Sequence, residues 1–318
     1  MSDSSSRTRA RLILDCDPGH DDAVAIVAAA RYADLVGITT VAGNAPLEQT
    51  TYNARVMRDL LGIDVPVHSG AHRPIVEHPQ PADFVHGASG LDGADLPEPT
   101  TPLDGTNAVE FIVDTCRAEE GLWLVPTGPL TNIALALRMA PDLADRVAGI
   151  SLMGGGTHGN RFPMAEFNIW ADPEAANIVY TAPGRLIMAG LDVTHQFQAT
   201  PGRIAQVAAL PGRLAAVLAD LFTYFSNNYL SRHDPGTIEG AAIHDPLAVL
   251  AITHPEVFTS VARHVQVELR GSVTRGMTVI DLRQITDRPA PNCEVLATVD
   301  ADAAFEVVRA AIEHYSTP

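Results

Sequence analysis

The sequence has little positive charge. It contains no lysine, and its Lys and Arg residues together number 21 against 38 Asp and Glu, which gives a formal net charge of −17 at pH 7. No long basic run occurs anywhere in the 318 residues. A protein that binds a nucleic-acid backbone needs clustered cationic side chains, so the sequence argues against a nucleic-acid partner. It favours a partner that is a small neutral or cationic molecule.

The sequence also has few cysteines and no long apolar run at its start. Cys16, Cys116 and Cys293 are far apart and form no CxxC pair, which argues against a disulfide framework and a zinc site and favours a reducing compartment. The apolar run before Asp15 is too short for a signal peptide or a membrane span. We therefore expect a cytoplasmic protein without a membrane partner. Residues 1–10 are predicted to be a disordered tail, and residues 11–318 a single domain.

Short apolar runs alternate with helical stretches along the chain, and 46% of the residues are hydrophobic, enough to fill a sizeable core. The predicted strands are 12–14, 36–41, 122–125, 150–153 and 186–189. The predicted helices between them are 22–32, 47–61, 106–119, 130–139 and 173–181. This alternation predicts an α/β fold with a mostly parallel, doubly wound (Rossmann-like) sheet and helices on both faces.

The remaining segments are less regular. Residues 200–232 predict a helical insertion near the active site, broken at Pro211-Gly212, and another helix is expected to start near Pro246. Two strands are predicted around Gly271, followed by a last strand and helix. Residues 68–104 form a long loop rich in Pro, Gly and His, and a loop of this length in a compact domain is usually functional or mobile.

Polar side chains follow nearly every predicted strand. Because the carboxyl ends of parallel strands form the ligand crevice of such sheets, these side chains are candidates for a functional site. They are Asp15, Asp17, Asp21 and Asp22 after the first strand, Asn44 after the second, Thr127 after the third, and the segments GGGTHGN and AEFN after the fourth.

The four aspartates predict a site for a hard divalent cation, because Ca²⁺ and Mg²⁺ prefer carboxylate and carbonyl oxygens. Asp21 and Asp22 also fit the first turn of a helix, where acidic residues are favoured without any ligand. That explanation does not extend to Asp15 and Asp17. An EF-hand loop is excluded, because His20 stands where its glycine is required.

Three other interpretations have weaker support. A Mg²⁺-dependent phosphatase with an aspartate nucleophile remains an alternative, although it should carry a lysine that balances the phosphate charge. GGGTHG at 154–159 matches the dinucleotide pattern GxGxxG, but Asn160-Arg161-Phe162-Pro163 follows where a helix should begin. A non-catalytic protein that binds ribose or a nucleoside is a third alternative.

Six separated segments, in one order along the chain, resemble the motifs of a known family. They are DCDPGHDDAVAI (15–26), VAGN (41–44), VPTGPLTNIALA (125–136), LMGGG (152–156), AEFNIWADPEAA (165–176) and HDP (244–246). On these segments the chain resembles the nucleoside hydrolases of the inosine-uridine preferring type, and the resemblance runs from about Arg11 to the last helix. Six motifs in one order are far more specific than any one of them.

The resemblance implies that water cleaves the N-glycosidic bond of a purine or pyrimidine ribonucleoside, giving ribose and a free base, with a tightly bound Ca²⁺. It implies that Asp17, Asp22 and Asp245 hold the ion through carboxylates and Thr127 through its backbone carbonyl. Asp17 would also be the general base that takes a proton from the metal-bound water.

The resemblance also assigns contacts with the substrate. The ribose hydroxyls would be bound by Asp21, Asn44, Glu166 and Asn168. Asn160 would reach towards the 5′ end, Met153 would pack near the sugar, and His86 and His244 would lie near the base. Asp15 would support the loop from behind.

This assignment is chemically consistent. Departure of the base leaves positive charge on the ribosyl group, which a site rich in carboxylates stabilises. A histidine with an ordinary pKa near 6.5 can donate a proton at neutral pH, so His244 is the better candidate for protonating the leaving base.

Base recognition stays open. The segment 218–246 offers possible base neighbours whose rings could stack on a purine or pyrimidine, although most could equally belong to a helix core. They are Phe222, Tyr224, Phe225, Asn227, Asn228, Tyr229 and His233. The resemblance further implies a homodimer or homotetramer and a role in the salvage or catabolism of ribonucleosides.

Overall fold

A computed structural model of the chain describes residues 9–316. Residues 1–8 of the predicted tail therefore lie outside the described residues, and residues 9 and 10 lead directly into the first strand. Among the described residues, no helix is long and apolar enough to cross a membrane.

The described residues form an eight-stranded sheet and two small two-stranded sheets. The strands are β1 (Arg11–Cys16), β2 (Asp34–Thr40), β3 (Val67–Ser69), β4 (Trp123–Pro126), β5 (Gly149–Met153), β6 (Leu186–Ala189), β7 (Gln198–Ala199), β8 (Ala241–Ala242), β9 (Phe258–Arg263), β10 (Val265–Val267), β11 (Thr278–Ile280) and β12 (Cys293–Val299). The large sheet has the order β3-β2-β1-β4-β5-β6-β12-β9, in which only β9 runs antiparallel to its neighbour. The predicted mostly parallel sheet is confirmed.

Helices cover both faces of this sheet. They are α1 (His20–Tyr32), α2 (Leu47–Leu61), α3 (Asp83–His86), α4 (Ala108–Ala118), α5 (Thr131–Met139), α6 (Leu143–Arg146), α7 (Phe167–Ala171), α8 (Pro173–Thr181), α9 (Leu191–Thr194), α10 (Pro201–Ala208), α11 (Arg213–Leu230), α12 (Pro246–Thr253) and α13 (Ala301–Ser316).

Strand β1 shows how the sheet separates two hydrophobic cores. Leu12 and Leu14 pack into the core formed with α1, α11, α12 and α13, whereas Ile13 packs into the core formed with α4, α5 and α8. Successive side chains of a strand point to opposite faces, so a strand covered on both faces is apolar at every position. This is why the unbroken run Leu12–Leu14 forms a central strand.

The predicted helical insertion is formed by α10 and α11, and the break between them falls at Pro211-Gly212, as expected. Gly212 has a φ of 89°, and a Cβ there would lie 2.1 Å from the carbonyl oxygen of Ser316. Both the left-handed backbone and this close approach require glycine. The C-terminal part of α11 lies near the carboxyl ends of the strands, because Phe225 and Tyr229 line the same cavity as Thr127 and Met153.

Two segments differ from the sequence prediction. The loop 68–104 overlaps β3 and contains α3, and it is tied to α2 because the buried guanidinium of Arg58 donates to Asp104 at 2.6 Å and to the carbonyl oxygens of Thr101 and Pro102. The region around Gly271 contributes three strands rather than two. Of these, β9 joins the large sheet, whereas β10 and β11 pair with each other.

Candidate active site

The acidic loop after β1 leads into α1. Gly19 is the N-cap, and its backbone N–H donates a hydrogen bond of 2.9 Å to Oδ2 of Asp22. Asp21 and Asp22 lie in the first helical turn, where free N–H groups and the helix dipole favour acidic side chains. Helix formation therefore accounts for two of the four aspartates, and not for Asp15 or Asp17, which precede the helix.

Asp15 is fully buried behind this loop. Its Oδ1 accepts hydrogen bonds from Oγ1 of Thr39 at 2.6 Å and from Nδ2 of Asn132 at 2.8 Å. Burial raises the pKa of Asp15 to about 7. These contacts join β1 to β2 and α5, on the side of the loop away from the cavity described below.

Asp17 is fully buried, and only half of its carboxylate is bonded. The backbone N–H of Asn44 donates to Oδ2 at 2.6 Å, whereas Oδ1 has no hydrogen-bond partner within residues 9–316. A Cβ at Gly43 would lie 2.0 Å from Oδ2, and a Cβ at Gly128 would lie 2.4 Å from Oδ1. Burial, reinforced by the charge of Asp22, raises the pKa of Asp17 well above its ordinary value. The backbone at Gly43 and Gly128 thus packs so closely against the carboxylate that any larger residue at either position would collide with it.

Three further carboxylates converge beside Asp17. Oxygens of Asp21, Asp22 and Asp245 lie within 4.8 Å of one another, and all three residues are buried. Burial is the main cause that raises the pKa of each, and for Asp21 the value is about 7. Asp17 is adjacent but not part of this group of three. Asp22 also accepts a hydrogen bond of 2.8 Å from Oγ1 of Thr127.

These carboxylates fit a metal ion. No ion pair described within residues 9–316 includes Asp17, Asp21, Asp22 or Asp245, and the chain has no lysine that could reach them. Buried charges of one sign are strongly unfavourable unless a counter-charge offsets them. A hard divalent cation is the counter-charge that carboxylate and carbonyl oxygens select. The unbonded oxygen of Asp17 is a donor available to it.

Glu166 and Asn168 project from the N-terminus of α7. Oε1 of Glu166 accepts the N–H of Asn168 at 2.9 Å, and Oε2 accepts the N–H groups of Gly155 and Ile169 at 3.0 and 3.1 Å. Nδ2 of Asn168 donates to the carbonyl oxygen of Thr127 at 2.7 Å. Burial raises the pKa of Glu166 to about 7. Both side chains are held rigidly by backbone contacts.

The loop between β5 and α7 carries Asn160. Its Oδ1 accepts the backbone N–H of Phe167 at 2.9 Å. Met153, the last residue of β5, lies against Asn168, whose Nδ2 is 3.3 Å from the methionine sulfur. No helix opens after Gly154–Gly159, so the dinucleotide pattern lacks the helix N-terminus on which phosphate binding depends.

His86 comes from α3, on the opposite wall. Its Nδ1 lies 3.0 Å from Nδ1 of His20, whose Nε2 lies 2.9 Å from the carbonyl oxygen of Asp92. The ring of His86 stacks on Phe225 of α11 at 5.2 Å. Burial lowers the pKa of His86 well below its ordinary value. The loop 68–104 thus contributes a neutral histidine that is fixed by a second, buried histidine.

His244 directly precedes Asp245, the N-cap of α12, and contacts both Asp21 and Thr194. Its backbone N–H donates to Oδ2 of Asp21 at 3.3 Å, and its Nδ1 lies 2.7 Å from Oγ1 of Thr194. Burial, with a smaller contribution from His195, lowers the pKa of His244 well below 6.5. The expectation of an ordinary pKa is therefore wrong, because burial disfavours the charged imidazolium.

One cavity of about 280 Å³ brings these groups together. Ten of the twelve site residues expected from the sequence line it: Asp21, Asn44, His86, Thr127, Met153, Asn160, Glu166, Asn168, His244 and Asp245. Asp17 and Asp22 lie in contact with this lining, through Asn44 and Thr127. Of the seven side chains suggested as base neighbours, Phe225, Tyr229 and His233 line the cavity, whereas Phe222 is 1% exposed and belongs to the core.

Seven further lining residues had not been assigned a role from the sequence. They are Ala82, Val85, Gly159, Arg161, Phe167, His195 and Arg232. Gly159 and Arg161 flank Asn160, and Phe167 lies between Glu166 and Asn168. Their position next to predicted site residues could have identified them. His195 could be found as a polar residue soon after β6, by the same strand-end argument that identified Asn44. Ala82 and Val85 carry no such signal.

The model of the family described as inosine-uridine preferring nucleoside hydrolase matches residues 12–306 of the chain. The chain belongs to this family. Apart from Arg11 at the start of β1, the match spans every strand of the large sheet, and it includes all the site residues described above.

Relatives of this nucleoside hydrolase cover almost its full length. It is 42% identical to an inosine-uridine preferring nucleoside hydrolase of Leishmania major, over 97% of this chain and 99% of the relative. It is 41% identical to the pyrimidine-specific ribonucleoside hydrolase RihA of Escherichia coli, over 96% of this chain and 99% of the relative. Among solved structures, a purine-preferring ribonucleoside hydrolase from Gardnerella vaginalis is 34% identical, with a TM-score of 0.89 over 96% of this chain and 99% of that one.

The predicted family, fold class and enzyme class are thereby confirmed: the chain is a ribonucleoside N-glycosyl hydrolase, which releases ribose and free base. The family is metal-dependent, and the Asp21, Asp22 and Asp245 group could hold a metal ion. The relatives differ among themselves in the base they prefer, so family membership leaves the base preference of this nucleoside hydrolase open.

Proposed function

We propose that this nucleoside hydrolase cleaves purine or pyrimidine ribonucleosides with Ca²⁺ as its metal and Asp17 as the general base. The observation that carries the proposal is the buried, unbonded Oδ1 of Asp17 beside the group of Asp21, Asp22 and Asp245. A carboxylate oxygen without a partner in this position is poised to bind a cation and to accept a proton from water.

The carboxylates of Asp17, Asp22 and Asp245 and the backbone carbonyl of Thr127 would hold the ion. When bound, Ca²⁺ supplies positive charge that acidifies water and orients sugar hydroxyls. Asp21 belongs to the same group of carboxylates and, like Asp245, lines the cavity, so its side chain can also contact the substrate.

The chain's own residues would then bind the ribose. The side chains proposed to bind its hydroxyls are those of Asp21, Asn44, Glu166 and Asn168. Asn160 would lie at the 5′ end and Met153 against the sugar. Because Glu166 and Asn168 are already held by backbone hydrogen bonds, little reorganisation is needed when the substrate enters.

Bond cleavage requires two proton movements. Asp17 takes a proton from the attacking water, whose oxygen bonds to C1′. The electrons of the C1′–N bond pass to the base, which takes a proton from Nε2 of the imidazolium form of His244. This leaves a neutral imidazole whose Nδ1–H donates to Oγ1 of Thr194. The developing charge on the ribosyl group is stabilised by the surrounding carboxylates, and His86 lies near the base.

The proposal is tested with protein loaded with Ca²⁺ and incubated separately with inosine, uridine, cytidine and a phosphate ester. Release of ribose as reducing sugar from a nucleoside is the expected result. Inorganic phosphate from the ester would instead support the alternative of a phosphatase, and saturable nucleoside binding without either product would support a non-catalytic protein. Repetition after chelation, with Ca²⁺ or Mg²⁺ restored, tests the identity of the metal.

The wider expectations are part of the same proposal. Residues 11–318 would form one domain, since strands from 11 to 299 join one sheet. The protein would be a cytoplasmic homodimer or homotetramer without a nucleic-acid or membrane partner, acting in ribonucleoside salvage or catabolism.

A further inference from the structure

A line of polar side chains leads from the cavity to the protein surface. The hydroxyl of Tyr229, in the cavity lining, lies 3.5 Å from Nε2 of His195. Nδ1 of His195 lies 3.2 Å from Nε2 of His158, and Nδ1 of His158 lies 4.0 Å from Oδ1 of Asp192. The side chain of His158 is 44% exposed. The line thus begins at the cavity wall and ends at the solvent-exposed side chain of His158.

Both histidines have the same orientation along this line. Each ring directs Nε2 inwards and Nδ1 outwards. Asp192 is itself fixed, because it accepts the backbone N–H of Thr157 at 2.8 Å and also hydrogen-bonds to the hydroxyl of that threonine. The end of the β5–α7 loop that carries His158 is therefore tied to α9, which carries Asp192 and precedes His195.

The surroundings keep His195 neutral. Burial is the main cause that lowers its pKa to about 4, and the neighbouring His158 and His233 add to it, while Asp192 opposes them. The titratable neighbours of His195 also include Tyr229, at 3.5 Å from Nε2, and His244, with ring centroids 5.6 Å apart. A neutral imidazole has one N–H and one lone pair, which are the two features needed to receive a proton on one side and release it on the other.

We propose that His195 and His158 deliver a proton from solvent to Tyr229, and that Tyr229 supplies it to the leaving-base end of the cavity. This inference rests on the proposed function, in which the departing base must be protonated. His244 is buried and neutral, and this relay would connect it to protons from solvent. His195 and His158 act through Tyr229 and are therefore positioning residues.

The proton count is balanced. The Tyr229 O–H bond breaks as its proton passes to the base nitrogen, directly or through His244, and Nε2–H of His195 reprotonates the phenolate. His158 gives its Nε2 proton to Nδ1 of His195 and takes one from water at Nδ1. Both rings return to the Nε2–H tautomer by exchange with water between turnovers. The proton that Asp17 removed from the attacking water leaves to solvent, so the cycle changes no net charge.

The test compares two leaving groups in the variant His158→Gln. Glutamine preserves hydrogen bonding but cannot transfer a proton between two ring nitrogens. With the ribonucleoside that the wild type cleaves fastest, we expect kcat to fall about tenfold, a small part of the roughly 10²–10⁴-fold that proton transfer contributes. With 4-nitrophenyl riboside, whose leaving group needs no proton, kcat should be unchanged. Imidazole added to His158→Ala should restore part of the nucleoside rate.

The variant His72→Gln, which changes an exposed histidine far from this line in the sequence, is the matched control and should leave both rates unchanged. Equal losses on both substrates, or no loss on the nucleoside, would overturn the relay. The variant His195→Gln, checked for folding by thermal melting, should show the same selectivity between substrates. Absence of wild-type turnover on every ribonucleoside would instead reject the proposed function on which the relay rests.

Discussion

Asn44 donates two hydrogen bonds to Asp17, one to the side chain of Asp17 and one to its backbone carbonyl. The N–H of Asn44 donates to Oδ2 of Asp17 at 2.6 Å, and Nδ2 of Asn44 lies 3.2 Å from the carbonyl oxygen of Asp17. The orientation of the carboxylate is therefore set by the backbone that follows β2. Among residues 9–316, Oδ1 of Asp17 has no hydrogen-bond partner.

Asp17→Asn should keep the shape of the side chain and remove its basicity. We expect kcat to fall by roughly 10²–10⁴-fold, the usual contribution of a general base, with a smaller change in the affinity for ribose. Steady-state kinetics with a nucleoside and competition by ribose measure the two quantities. A kcat near that of the wild type would end the assignment of Asp17 as the base.

Gly43→Ala should displace the Asp17 carboxylate, because the new Cβ would lie 2.0 Å from Oδ2. A misplacement of this size is expected to lower kcat/KM by about a hundredfold and to weaken Ca²⁺ binding. Kinetics and calcium titration monitor the effect. Gly202→Ala is the matched control. Apart from chain neighbours and the backbone of its own helix, no atom of residues 9–316 lies within 4 Å of that Cβ, so activity should not change, and the unfolding free energy should rise by up to about 1 kcal/mol. Full activity in Gly43→Ala would show that close packing against Gly43 is not needed to position the Asp17 carboxylate.

The stabilisation given by Ca²⁺ should increase with pH. The pKa of Asp21 is about 7 in the folded, metal-free protein against 3.8 for the free group, so the folded state binds more protons between these values. Metal-free stability is therefore lost as pH rises through this interval, whereas a bound cation offsets the repulsion.

The measurement is thermal melting with Ca²⁺ and with chelator, from about pH 5 to about pH 8. Comparison at each pH cancels the opposite effect of the buried histidines, which lose stability as pH falls. The gap between the two melting temperatures should widen towards neutral pH and vanish in Asp245→Asn. A gap that stays constant with pH would argue against a cation on these carboxylates.

His244→Ala should reduce turnover of inosine much more than turnover of 4-nitrophenyl riboside. The reason is that only the hypoxanthine leaving group needs a proton. The ratio of kcat values for the two substrates, in variant and wild type, is the measurement. Equal losses on both substrates would show that His244 acts in binding or folding instead.

Much of the fold was predictable because a strand buried on both faces appears in the sequence as a short run of consecutive apolar residues. The helix predicted at 173–181 coincides with α8, whose N-cap Asp172 and first-turn Pro173 are strong local signals. Strand β3 was missed because it is only three residues long and is stabilised by pairing with β2, which ends 27 residues before β3 begins. Such pairing is a tertiary effect that no local pattern records.

The site was predictable where a motif follows a strand and unpredictable where distant segments meet. Asp17 and Asn44 were identified from strand ends. His20 was not predicted to belong to the site, because it acts by holding His86, which lies 66 positions away in the sequence. The pKa of His244 was misjudged for a related reason, since burial is a property of the assembled fold and is not visible in the tripeptide His244-Asp245-Pro246.

The carboxylate group joins residues 21 and 22 to residue 245, so one half of the cation site is made at the start of the chain and the other half near its end. During synthesis on the ribosome, the first half emerges long before the second. Until α12 has packed against α1, a cation meets only a fraction of its ligands. We therefore expect the metal to bind only after α12 has packed, and a chain truncated before Asp245 should not retain the ion.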